Sequence, residues 1–144
     1  MTITLAKVVK IEGKENINIA IPSDFLESTM SSGELDTDGG WAIIIFTPST
    51  RIIKIYPTKS GVVARLEVSI AELTPDFLQE VSSIFLESGI KTLYSTGVCF
   101  TSESCLYEVY IDKNDFPENM DVKARLGEIR GVADVKIDFL EPDA

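Results

Sequence analysis

The sequence predicts an α+β fold in two small modules. Three observations carry that reading. From Val62 onward the elements follow the order strand, helix, strand, strand, helix, strand, with nothing left over. Before it lies a mostly β segment with two hairpin-like pairs around a short helix. Between them, Thr58-Lys59-Ser60-Gly61 reads as a short linker.

The elements of the second module follow in order. Residues 62–70 alternate, with Ala64, Leu66, Val68 and Ile70 on one face and Arg65, Glu67 and Ser69 on the other. That is the period of a strand with one buried face. Thr74 is a candidate cap and Pro75 suits the first helical position, where no backbone donor is lost. Phe77, Leu78, Val81, Ile84 and Phe85 then form one apolar stripe, and Gly89 is the expected left-handed stop. Two strands, 90–100 and 105–112, make a central hairpin. Residues 114–117 are a turn cluster. A second helix is expected over 120–129, capped by Asn119, with Val122, Leu126 and Ile129 inward and Gly131 ending it. Residues 132–140 form the last strand. This βαββαβ order predicts a ferredoxin-like sandwich, with both helices on one face of an antiparallel sheet.

The first module reads as strands over 2–11 and 16–21, a short helix over 24–30 and a polar loop over 31–40. A second hairpin over 41–46 and 51–56 follows. A segment of about 57 residues buries only about 60% of its unfolded surface and is marginal alone. Both faces of the 42–46 strand are apolar, so both call for cover, and a second copy is the simplest one. An intimate homodimer, or a higher homo-oligomer, is the expectation.

Charge divides the chain. Residues 1–59 hold six basic and seven acidic side chains; residues 60–144 hold seven and sixteen. The acidic half repels phosphate and anionic lipid, so nucleic acid would meet the first half. No apolar run approaches the length needed to span a bilayer, and the opening residues lack the pattern of a signal peptide. The expectation is a cytoplasmic protein with no membrane partner.

Catalytic chemistry has little to stand on. There is no histidine, the commonest general base and metal ligand. Glu103 and Glu108 are near one another, but no nucleophile, metal site or phosphate-cradling loop accompanies them. No catalytic residue, metal site or cofactor is nominated. Cys99 and Cys105 fit facing positions on two strands; a disulfide is feasible, but a reducing cytosol favours two core thiols.

Two resemblances follow from these residues. The strand Leu66–Ile70, the turn before Phe77-Leu78, the pair Gly89-Ile90 and the ending Leu126-Gly127-Glu128-Ile129-Arg130-Gly131-Val132 resemble the ACT family of small-molecule sensing domains, over residues 62–140. That resemblance implies an amino acid or similar effector near the loop after the first strand. Its residues here are Ala71, Glu72, Leu73, Thr74 and Asp76. Asp76 stands where the family places a glycine, so a side chain rather than bare backbone would face a ligand.

Residues 1–57 resemble the AbrB-like swapped-hairpin DNA-binding domains, through Lys7-Val8-Val9-Lys10-Ile11, Ile17-Asn18-Ile19-Ala20-Ile21-Pro22 and the later strand pair. This implies phosphate contacts from Lys7, Lys10 and Lys14 and a base-edge contact from Asn18. The short helix departs from the family, reading Asp24-Phe25-Leu26-Glu27 where arginines are usual. The functional expectation is a ligand-responsive transcription regulator. The alternative is a regulatory or scaffold subunit that binds a protein and not DNA.

Overall fold

In a computed structural model of the 144-residue chain, the described residues are 6, 8, 10, 18, 20, 21, 40–117 and 121–142. The chain divides into two compact units, Met1–Met30 and Ser31–Ala144. In the first, the described side chains Val8, Lys10, Asn18 and Ile21 are exposed. The strands expected over 2–11 and 16–21 lie largely outside the described residues, and the helix over 24–30 entirely so.

The second unit is α+β, with two antiparallel sheets. Strands β1 (Trp41–Thr47) and β2 (Ile52–Thr58) form a hairpin in which Ile44 faces Ile55 and Phe46 faces Ile53. Then follow β3 (Val63–Ile70), α1 (Pro75–Glu87), β4 (Tyr94–Thr101), β5 (Ser104–Asp112), α2 (Val122–Gly127) and β6 (Val132–Leu140). The four-stranded sheet has the order β4-β5-β3-β6. Its edges differ: β4 carries no charged residue, whereas β6 carries Asp134, Lys136 and Asp138.

The alternation of β3 is realised. Ala64, Leu66, Val68 and Ile70 are at most 4 % exposed and pack with Phe77, Val81, Ile84 and Phe85 of α1 and Val122 and Leu126 of α2. Thr74 caps α1, its hydroxyl accepting from the Phe77 N–H at 3.1 Å. Gly89 follows the helix at φ +69°. Leu78 departs from expectation: it is exposed, because one residue past Phe77 is about 100° round the helix, at the margin of the stripe. The second helix is also shorter than expected. Asp121 caps it, accepting from the Ala124 N–H at 3.0 Å, while Asn119 lies outside the described residues. Ile129 is buried beyond its end.

The hairpin does not form a separate body. Ile43, Ile45 and Tyr56 pack on Val63, Tyr94, Tyr110 and Leu140, covering one end of the sheet face opposite the helices. Tyr56 and Tyr110 flank Tyr94, each ring stacked on it at 5.9 and 6.3 Å. The chain therefore crosses residues 57–62 inside one compact unit. The other face of the hairpin, with Ile44, Phe46 and Ile53, is exposed in the single chain.

The expected linker is fastened to β5. The Asp112 carboxylate, 1 % exposed, accepts from the Lys59 N–H at 2.5 Å, the Ser60 hydroxyl at 3.0 Å and the Asn114 N–H at 3.0 Å. Burial alone would push Asp112 up. The backbone donors of Asn114, Lys59 and Ser60, with the Ser60 hydroxyl, outweigh it and hold the group below the ordinary carboxylate range.

The reading of two core thiols is corrected. Cys99 and Cys105 are opposite one another on β4 and β5, Cα atoms 4.0 Å apart, and are joined by a disulfide. Only Cys105 is in the core, at 4 % exposure; Cys99 is exposed, because β4 is an edge strand whose outer side has no neighbour in the sheet.

Candidate functional site

The loop after β3 is shaped by three local features. The pairing of β3 with β6 slips between Ser69 and Ile70, which turns the chain out of the sheet. The Ala71 N–H donates to the Gly131 carbonyl at 3.2 Å, tying the loop to the turn before β6. Gly131 sits at φ +92°, a conformation that side chains disfavour. The cap at Thr74 then redirects the chain into α1.

These features open a cleft of about 460 Å³ between the loop, the first turns of α1 and the turn at Arg130-Gly131. Four of the five expected ligand residues, Ala71, Glu72, Thr74 and Asp76, line it. Leu73 does not. It leans the other way, where its Cδ1 would lie 2.6 Å from a Cβ at Gly97 of β4. The bare backbone at Gly97 is what lets Leu73 approach so closely.

Two charged residues that the sequence reading did not nominate complete the cleft, Glu80 and Arg130. Glu80 lies one helical turn beyond Asp76, a spacing visible in the sequence once α1 is placed. Arg130 was less visible. It joins because β3 and β6 are neighbours in the sheet, so the turns at their ends meet. The charge in the cleft is three carboxylates, Glu72, Asp76 and Glu80, against one guanidinium. Among the described residues no carboxylates or cysteines are grouped closely enough to hold a metal ion. The arrangement suits binding of a small polar molecule with an ammonium group.

The sheet face opposite the helices has a second charged cluster. Arg65 lies 3.5 Å from Asp138, and its Nε is 3.2 Å from Glu67, off the angle of a hydrogen bond. The Tyr110 hydroxyl donates to Glu108 at 3.3 Å. Burial raises the Tyr110 phenol above its usual range, and the Glu108 carboxylate adds to the rise against the opposing pull of Arg65. This cluster is paired within itself and bonds across the sheet, as a polar face between strands does.

Of the residues expected to meet DNA, Lys10 and Asn18 are exposed in the Met1–Met30 unit. Lys7 and Lys14 lie outside the described residues. No described helix is long and apolar enough to cross a membrane.

No family model matches the chain, and no curated protein matches it. Among solved structures it is similar to LarC2, the C-terminal domain of a cyclometallase involved in the synthesis of the NPN cofactor of lactate racemase, in its apo form. The TM-score is 0.42 and the identity 14%, over 57% of this chain and 56% of that one. The match thus spans just over half of each protein, and it says nothing about chemistry.

Proposed function

We propose that the chain is a ligand-responsive regulator whose Ser31–Ala144 unit senses a small molecule. The observation that carries this is the cleft, where Ala71, Glu72, Thr74 and Asp76 of one loop meet Arg130 of another. The element order after residue 62 and the sheet order β4-β5-β3-β6 support a ferredoxin-like, ACT-like reading of that region. A free amino acid fits the charge: its ammonium toward the carboxylates, its carboxylate toward Arg130.

The regulatory output is DNA contact through Lys7, Lys10, Lys14 and Asn18, in a homodimeric, cytoplasmic protein without catalytic activity. Coupling between effector and DNA of this kind is typically about 1–3 kcal/mol. The exposed apolar face of the hairpin, Ile44, Phe46 and Ile53, supports burial against a second copy. The same face favours the second reading, a scaffold subunit that docks another protein.

A thermal-shift screen with free L-amino acids tests the sensing claim. A ligand that binds only the folded chain raises its melting temperature, and Arg130→Ala should abolish that rise. No shift from any amino acid would overturn the amino-acid reading. A mobility-shift assay at low salt tests the output: replacing Lys10 and Lys14 by alanine should weaken binding, and unchanged binding would remove DNA from the account.

A further inference from the structure

We propose that Cys99 is a site of thiol–disulfide exchange, and that opening its bond to Cys105 loosens the loop that walls the cleft. Three observations converge on this.

The two sulfurs are unequally reachable. Cys99 is exposed on the edge strand β4, while Cys105 is 4 % exposed in the core. An incoming thiolate meets one of them, and exposed disulfides are the exchangeable ones.

The stabilisation expected of this bond is at the low end for a disulfide. The bond joins residues only six apart, in a hairpin that the turn between Thr101 and Ser104 already closes. On the loop-entropy model a cross-link over so short a loop stabilises less than one that closes a long loop.

The bond also sits against the loop. Cys105 pairs with Ile70, the last residue of β3, and its Sγ lies 3.7 Å from the Ala71 carbonyl oxygen. Leu73 rests on β4 at Gly97, two residues before Cys99. The β4 segment pinned by the disulfide is therefore the one that seats the loop.

The reductant is a small thiol. Its thiolate attacks Cys99 Sγ; the Cys99–Cys105 bond breaks, and its electron pair leaves on Cys105 Sγ, which takes a proton. A second thiolate attacks the reagent's sulfur in the mixed disulfide and displaces Cys99 as a thiolate, which is protonated in turn. Two thiols are oxidised to their own disulfide as the protein bond gains two electrons. In the reduced chain, the Cys105 S–H can donate to the Ala71 carbonyl, and the end of β4 is held by its ladder alone. The inference holds whichever ligand the cleft takes.

The full wild-type chain, oxidised, is equilibrated in mixtures of reduced and oxidised glutathione, quenched by alkylation and weighed. Hydrogen exchange is followed in both end states. Expected are a two-electron transition within the glutathione series and about tenfold faster exchange at the Ala71 amide, which is bonded to the Gly131 carbonyl, on reduction, with Leu66 unchanged. Cys105→Ser should retain glutathione on Cys99, while Cys99→Ser should leave Cys105 unmodified under native conditions. A bond that survives reduced glutathione alone, or loop exchange identical in the two states, overturns the proposal without reference to either variant.

Discussion

The two faces of the four-stranded sheet are built on opposite principles. The face beneath α1 and α2 is a continuous apolar layer, with Leu66, Val109, Ile111 and Leu126 fully buried. The opposite face is apolar under the hairpin, at Val63 and Tyr110, carries a row of paired charges at Arg65, Glu67, Lys136 and Asp138, and ends in the uncovered apolar pair Leu106 and Val98. One strand, β3, serves both through its alternation. The difference shows where stability resides: close packing cannot relax around a missing group, whereas half-exposed ion pairs exchange with water at small cost.

The largest expected effect tests that claim on the packed face. Leu66→Ala should cost about 2–5 kcal/mol in urea unfolding, because its neighbours close only partly on the cavity. Glu67→Ala, its neighbour on the other face, should cost less than about 1 kcal/mol. Equal losses from the two would erase the contrast.

Asp112 sharpens the comparison, since it is a buried charge on the mainly polar face. Asp112→Asn should cost about 1–3 kcal/mol near neutral pH, as the linker donors lose a charged acceptor. The folded-state pKa is depressed, so the contribution is present above the ordinary aspartate range and is lost as pH falls through the lower, folded value. The gap between wild type and variant, measured by urea unfolding across acid pH, should therefore close as the medium becomes more acidic.

Smaller still is the outer side of the hairpin. Phe46→Ser should change unfolding of the dilute chain by no more than about 0.5 kcal/mol, because Phe46 is 65 % exposed. Sedimentation at rising concentration should show weaker self-association in the same variant if a second copy covers that face.

Much of the second unit was legible in the sequence. The period-two pattern of β3 and the Thr74-Pro75 start of α1 correspond to local rules that tertiary packing did not override. The cleft was half legible. Its loop could be marked out, but Arg130 arrives through strand adjacency, which spacing along the chain does not encode. The attachment of the hairpin was hidden for a similar reason. Tyr110 and Asp112 sit on the face of β5 that alternation marks as outward, and only the hairpin and the linker make it interior. The redox pairing of Cys99 was open because composition suggests the compartment and spacing allows either state.

The contrast between the two sheet edges has a consequence for handling the protein. β6 meets an approaching strand with carboxylates and a lysine, while β4 offers eight uncharged residues and no proline. Natural edges are usually guarded by charge or proline against unwanted growth. At high concentration, or after partial heating, fibrillar or amorphous association should begin along β4. A single Thr96→Lys substitution would then slow that association.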